Sequence, residues 1–182
     1  MVTSASMKKP ATKYFILLFL TVLVIVLDQI TKLQVVERFR LGESIAVIPD
    51  LFSLTYVRNT GAAFGILATA DPAFRVPFFI LVPFVALAAI GYVFRKIPAQ
   101  DRKLSTALSL VVGGAIGNLI DRVRLGFVVD FLDFHWRYTY HFPAFNVADT
   151  AICVGVGILM LDLLLQKQDA GKEAHSNASA AP

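Results

Sequence analysis

Four long apolar stretches constrain this chain more than any other feature. They cover about residues 14–34, 74–94, 104–120 and 146–165, and a helix of roughly 20 apolar residues crosses the hydrocarbon core of a bilayer. Hydrophobic residues make up 57% of the 182 positions and charged residues only 16%, whereas soluble domains average about 25% charged residues. The pattern predicts a single membrane domain with four spans over residues 14–166.

The distribution of Lys and Arg predicts the orientation of these spans. Residues 1–13 carry three of them and residues 95–103 carry four, whereas residues 35–73 carry three over 39 positions and residues 121–145 three over 25. Because positive residues near span ends are retained on the cytoplasmic side, we expect a cytoplasmic N-terminus at 1–13 and two loops that face outward. The small polar residues of 167–182 predict a disordered cytoplasmic tail.

The two outward loops predict further local structure. Residues 51–57 are rich in aromatic and β-branched residues, which favours a strand resting on the membrane surface. The segment from Gly126 to Phe142 is too polar to span and too apolar to be fully solvated, so it is expected in the membrane interface, with Trp136 in an aromatic belt. The expected fold class is an all-α membrane protein with four transmembrane helices, a small extracytoplasmic β platform and an interfacial amphipathic segment. Within the third span, the Gly113-x-x-x-Gly117 spacing predicts close helix packing.

Several kinds of chemistry are absent from the sequence. The single cysteine, Cys153, excludes an intrachain disulfide and is expected to be a packing residue. The sequence holds no H-E-x-x-H motif and no G-x-S-x-G elbow, so neither a zinc site nor a serine hydrolase is predicted. The net charge of +4 is explained by membrane topology and does not indicate a nucleic-acid partner. We expect no metal and no cofactor.

Polar residues gather at one end of the first and third spans. Asp28 and Lys32 are four residues apart on one helix face, so they can form an ion pair that closes the span or can shape a nearby site. Asn118 and Asp121 share a face of the third span and can either cap loop backbone or position a substrate. Arg122 beside them can extend to lipid head groups.

Asp130 and Asp149 differ from these because neither has a Lys or Arg three or four residues away. Two unpaired carboxylates close together in a low-dielectric site cannot both ionise easily, which leaves one acid and one base at neutral pH. Such a pair can activate a water molecule and polarise an amide carbonyl. The alternatives are a helix-start Asp favoured by the macrodipole and a solvated interfacial Asp. Asp133 could replace Asp130, since the two would be neighbours on a helical turn.

Five motifs in this order closely resemble the lipoprotein signal peptidase family, also called signal peptidase II. They are Asp28-Gln29-x-Thr31-Lys32, Asn59-Thr60-Gly61-Ala62-Ala63-Phe64-Gly65, Gly113-Gly114-Ala115-x-Gly117-Asn118-x-x-Asp121-Arg122, Val129-Asp130-Phe131 and Phe145-Asn146-Val147-Ala148-Asp149. The resemblance extends from the first span into the fourth.

The resemblance implies an aspartyl endopeptidase of the bacterial inner membrane, with both termini in the cytoplasm and the active site near the outer face. Its substrates would be prolipoproteins carrying a diacylglyceryl-cysteine, cleaved just before that cysteine, in contact with membrane lipids and without a cofactor. The protein is expected to act as a monomer. Asp130 and Asp149 would be the catalytic pair. The substrate-binding or supporting positions would be Asp28, Lys32, Asn59, Gly61, Asn118, Asp121, Arg122 and Asn146.

The competing hypothesis is a small, non-enzymatic, proton-coupled transporter. Its relay would use Asp28, Asp121 and Asp149, which would have to be spread through the depth of the membrane. Only Asp162 is expected near the opposite end.

Overall fold

Four helices form the body of the molecule in the computed structural model, which describes residues 12–61 and 66–179, with side chains up to residue 167. These helices are α1 (Thr12–Arg38), α2 (Pro72–Lys96), α3 (Arg102–Leu125) and α4 (Val147–Ser179). Each is long and apolar enough to cross a membrane, α4 over Val147–Lys167. The prediction of a multi-pass membrane protein is confirmed.

The helices extend beyond the predicted apolar stretches at several ends. Lys13, assigned from the sequence to a polar N-terminal segment, lies in the first turn of α1, and residues 1–11 of that segment are outside the described residues. Its Nζ donates to the backbone oxygens of Phe94 and Ile97 at 3.1 and 2.8 Å, because the last carbonyls of α2 have no partner within their own helix. The tail predicted to be disordered is helical as far as Ser179, since Lys, Gln, Glu and Ala favour helix there.

Glycines on α3 allow the other helices to approach it closely. A Cβ atom at Gly113 would lie 2.8 Å from the Cβ of Val24 on α1, and one at Gly117 would lie 2.7 Å from an oxygen of Asp28. Real Cβ atoms do not approach neighbours this closely, so a larger residue would push α1 away. The close packing predicted from the Gly113-x-x-x-Gly117 spacing is confirmed.

A four-stranded antiparallel sheet joins the helix ends. Its strands follow one another in the order β1 (Ser44–Ile48), β2 (Phe52–Asn59), β3 (Val128–Trp136) and β4 (Tyr140–His141). The strand expected at residues 51–57 is confirmed as β2. The segment from Gly126 to Phe142, expected at the membrane interface, is mostly β3 and β4, and its β-branched and aromatic residues favour strands.

The sheet lies where α1 and α3 end and where α2 and α4 begin, and we call this the sheet end of the molecule. A buried apolar cluster of Val35 on α1, Tyr56 on β2 and Val129 and Phe131 on β3 fixes it there. The packing brings the end of β2 and the start of β3 beside the first turn of α4, represented by Val147.

Candidate active site

Asp130 on β3 and Asp149 on α4 line the same cavity at the sheet end, which has a volume of ≈ 810 Å³. Polar side chains from β2 and α3 form one part of its wall. Residues of α4 and of the segment before it, among them Phe145 and Ile152, form an apolar part. The two carboxylates thus share a partly enclosed space that has both polar and apolar surfaces.

Asp130 is almost completely buried, with 2% of its surface exposed. One carboxylate oxygen, Oδ1, accepts a 2.7 Å hydrogen bond from Asn146 Nδ2, and Oδ2 accepts a 3.0 Å bond from Asn59 Nδ2. Burial, and after it the negative charge of Asp149, raise the pKa of Asp130 to about 7 against the opposing effect of the two amide donors. Near neutral pH, Asp130 is therefore divided between its acid and its carboxylate form.

Asn146 links the two carboxylates. Besides its bond to Asp130, its Oδ1 accepts from the backbone N–H of Asp149 at 2.9 Å, and its own backbone N–H donates to Asp149 Oδ2 at 3.2 Å. This reciprocal arrangement is a capping box at the first turn of α4. Asp149 therefore does occupy the helix-start position that the sequence left open, and it faces the cavity as well.

A buried cluster of charged groups lies beside the cavity. The Nζ of Lys32 is 2.8 Å from Asp28 Oδ2 and 2.9 Å from Asp121 Oδ2, and it donates to Asn118 Oδ1 at 2.8 Å. The three donors of an ammonium group thus each have an acceptor. The ion pair expected between Asp28 and Lys32 is confirmed, and Asp121 on α3 completes it.

This cluster also fixes the backbone immediately before each cavity carboxylate. Asp28 Oδ1 accepts from the N–H of Ala148 at 2.9 Å, and Asp121 Oδ2 accepts from the N–H of Val129 at 3.0 Å. For Asp28, the alternatives of an ion pair and a shaped site therefore coincide, and Asp121 holds backbone as its capping alternative predicted. A further contact comes from Asn118, whose Nδ2 donates to Asp149 Oδ1 at 2.7 Å.

Of the remaining predicted residues, Asn59 and Arg122 line the cavity, and Gly61 contacts both of them. Asn59 Oδ1 accepts from the N–H of Gly61 at 3.0 Å, and Arg122 Nη2 donates to the Gly61 carbonyl at 3.1 Å. The Arg122 guanidinium also lies 5.1 Å from the ring centroid of Phe79. Arg122 thus holds the segment that follows β2, and residues 62–65 of this motif are outside the described residues.

Asp133, considered as a substitute for Asp130, does not line the cavity. Its carboxylate accepts from Thr55 Oγ1 at 2.8 Å and lies 2.9 Å from His141 Nδ1. The substitution assumed a helical turn, but residues three apart on a strand point to opposite faces.

Two residues of this site were not predicted from the sequence. Gln29 Nε2 donates to Asp121 Oδ1 at 3.1 Å and to the Gly117 carbonyl at 3.2 Å, and a side-chain amide within an apolar span was the signal for it. Cys153, expected to be a packing residue, is exposed and lines the cavity. It follows Asp149 by four residues, which places both on one face of α4.

The carboxylates proposed for a proton relay are not distributed along the length of the described helices. Asp28 and Asp121 are in one cluster at the sheet end, and Asp149 lies beside it. Asp162 accepts a hydrogen bond from Gln166 at 2.7 Å, more than three helical turns further along α4. Nothing in this arrangement favours the transporter hypothesis.

Comparison with known proteins gives a consistent result. Residues 20–165 match the family model described as signal peptidase (SPase) II. The chain is 51% identical over 160 residues to a lipoprotein signal peptidase of Geobacter metallireducens, which covers 88% of this chain and 97% of that protein. It is 54% identical over 149 residues to a lipoprotein signal peptidase of Syntrophotalea carbinolica, covering 82% and 91% respectively. A solved structure described as a bacterial membrane enzyme, determined by the in meso method at 2.3 Å, has a TM-score of 0.76 with 36% identity over 84% of this chain and 90% of that one.

Proposed function

This chain belongs to the signal peptidase II family, and we propose that it removes signal peptides from diacylglyceryl-modified prolipoproteins with Asp130 and Asp149 as its catalytic pair. The observation that carries the proposal is that both carboxylates line one cavity and are linked by Asn146. Family membership supports a protease. The geometry supports the aspartyl type.

The surroundings of the two carboxylates favour different roles. Both accept two N–H hydrogen bonds, but Asp149 lies at the first turn of a helix, where the helix dipole favours a carboxylate and hence a base. Asp130 is nearly inaccessible to water and has a pKa of about 7, so a large fraction of it carries a proton at neutral pH. In our mechanism, Asp130 is the acid of the first step.

Peptide cleavage then proceeds in two proton-balanced steps. Asp149 takes a proton from a water molecule while the water oxygen bonds to the carbonyl carbon, and Asp130 gives its proton to the carbonyl oxygen. The tetrahedral intermediate collapses when the carbon–nitrogen bond breaks. The leaving amine receives the proton held by Asp149, and Asp130 recovers its own from the intermediate. No covalent acyl-enzyme is formed.

The cavity walls suit a substrate with a lipid group on the residue next to the cleaved bond. The peptide bond would meet the polar wall near Asn59 and Asn118, while the acyl chains would follow the apolar wall formed by residues such as Ile152 and Val154 of α4. A site at the border between water and hydrocarbon provides both environments.

The orientation of the protein in the membrane is also part of the proposal. We propose a monomer in the bacterial inner membrane, and the Lys and Arg distribution supports a cytoplasmic position for both termini. The sheet end would then face outward. Exposed aromatic residues on β3 and β4, such as Trp136 (61% exposed) and Tyr140 (75% exposed), are suited to the membrane interface.

The proposal is tested by cleavage of a diacylglyceryl-modified prolipoprotein by the purified protein, with and without a chelator. We expect activity that survives chelation and falls by at least about 10²-fold in Asp130→Asn and in Asp149→Asn, since a lost acid or base costs that much. Asp133→Asn is the matched control, because it removes a carboxylate from the same strand but outside the cavity. Substantial turnover by either cavity variant would contradict the pair, and failure of the wild-type protein on lipidated substrate would contradict the substrate class.

A further inference from the structure

A second, smaller recess lies at the sheet end, between the start of α2 and the end of α3. Its lining includes two arginines, Arg75 and Arg122, together with Thr60 and the apolar side chains of Val76 and Phe79, and no carboxylate contributes to it. Its volume of ≈ 10 Å³ admits a group about the size of one oxygen atom.

Arg75 is the less satisfied of the two cations. Its Nη1 donates to the backbone oxygen of Ala68, but its Nε is buried and has no hydrogen-bond partner among the described residues. Asp71, four residues earlier, uses its carboxylate to cap α2 by accepting from Ala73 N–H, and among the described residues no ion pair joins it to Arg75. A buried polar group without a partner is costly, so this one calls for an unseen acceptor.

The surroundings indicate an anionic acceptor. Arg75 lies in the first turn of α2, where the helix dipole already contributes partial positive charge and a basic residue is unfavourable without an anion. Arg122 approaches from α3 and adds a second guanidinium, and such groups match the paired oxygens of a phosphate. Arg122 interacts electrostatically with the cavity carboxylates, whereas no ion pair joins Arg75 to a carboxylate in the part of the chain that the structure describes.

We propose that this recess binds the phosphate of an anionic membrane phospholipid, with one phosphate oxygen in the recess between Arg75 and Arg122. The rest of the head group stays outside, because the recess is too small for it. The acyl chains descend along the exposed side of α2 past Val76, which is 38% exposed. The two arginines lie at the sheet end, and apolar residues continue from them along α2. This combination of charged and apolar surface favours a lipid over a free ion.

The test measures lipid binding and does not depend on peptidase activity. The protein in detergent is titrated with phosphatidylglycerol, with diacylglycerol, which lacks a phosphate, and with inorganic phosphate, while its melting temperature is followed. We expect phosphatidylglycerol to raise the melting temperature of the wild type far more than the other two. In Arg75→Gln the apparent Kd should weaken roughly tenfold or more, since charge-assisted hydrogen bonds are lost.

Two further variants keep the test decisive. Arg124→Gln removes an exposed arginine at the same end of α3 that does not line the recess, so it should retain the wild-type response. Arg75→Lys, which keeps the charge but loses the planar fork, should give an intermediate affinity. An equal response in Arg75→Gln would overturn the site, an equal effect of diacylglycerol would overturn phosphate recognition, and an equal effect of inorganic phosphate would overturn the lipid as its occupant.

Discussion

At the scale of single residues, the candidate site holds a carboxyl group in an environment that opposes its charge. Asp130 is 2% exposed, and burial with the nearby charge of Asp149 raises its pKa from 3.8 to about 7. Such a group is suited to proton transfer at neutral pH, but it makes the folded protein less stable whenever it is ionised. We therefore expect the environment of Asp130 to favour catalysis and to lower the stability of the folded protein.

This conflict gives a prediction about stability and pH. Between about pH 4 and pH 7 the folded protein holds a proton on Asp130 that the unfolded chain has released, so this residue lowers stability as the pH rises through that window. The full shift corresponds to roughly 4 kcal/mol. Asp130→Asn should thus melt at a higher temperature than the wild type at pH 8, and the difference should shrink towards pH 4. The gain will be smaller than the full shift, because the amide cannot accept from both Asn59 and Asn146.

The measurement is thermal unfolding of both proteins in detergent over this pH range. Asp133→Asn serves as the control: its amide keeps only one of the two oxygen acceptors that contact Thr55 and His141, so its melting temperature should fall. If the difference in melting temperature between Asp130→Asn and the wild type does not change with pH, ionisation of Asp130 does not destabilise the folded protein, and the prediction is wrong.

At the scale of helices and strands, the buried cluster around Lys32 joins the elements that carry the site. Asp28 on α1 and Asp121 on α3 share this one ammonium group, and their carboxylates also hold the backbone at Ala148 and Val129. Removing the cation would leave two buried carboxylates without an ion-pair partner among the described residues and would loosen both α4 and β3 near their first residues.

We therefore predict that Lys32→Met is destabilised by about 3–5 kcal/mol, the usual cost of an uncompensated buried charge. The triple variant Lys32→Met/Asp28→Asn/Asp121→Asn, in which no charge is left unpaired, should recover part of that loss. Lys96→Met, at an exposed position at the end of α2, should change stability by less than about 0.5 kcal/mol. Thermal unfolding of the four proteins provides the comparison, and a triple variant no more stable than Lys32→Met would refute the electrostatic explanation.

At the scale of the whole molecule, some features could be predicted from the sequence and others depend on distant contacts. The four spans follow from the lengths of apolar runs, and the pair of Asp28 and Lys32 follows from helical spacing. The bond of Lys32 to Asp121 could not be predicted, because it depends on the packing of α1 against α3 through glycines. The inclusion of β3 in the sheet was missed, since its charges were interpreted as interfacial and its pairing with β2 is set by tertiary structure.

Cys153 shows how a site residue can be hidden in an apolar span. A lone thiol among apolar residues is normally a packing residue. The structure shows that Cys153 lies one helical turn beyond Asp149 on α4, where its side chain is exposed and lines the ≈ 810 Å³ cavity. This is the single cysteine of the chain, so a thiol-specific reagent modifies the protein only at the cavity.

The proposed substrate path can be tested by adding bulk at this thiol. Reaction with an N-benzylmaleimide should block cleavage of lipidated prolipoprotein, because the adduct would fill the space expected to hold the substrate, and bound substrate should slow the reaction. Cys153→Ser should be active and resistant. In the matched variant Cys153→Ser/Gly157→Cys the thiol lies further along α4, where an added side chain meets open space outside the cavity, and its adduct should remain active. If the Cys153 adduct cleaves substrate at the wild-type rate, the substrate does not use this wall of the cavity; if both adducts are equally inactive, the loss reflects damage to α4 and not an obstructed path.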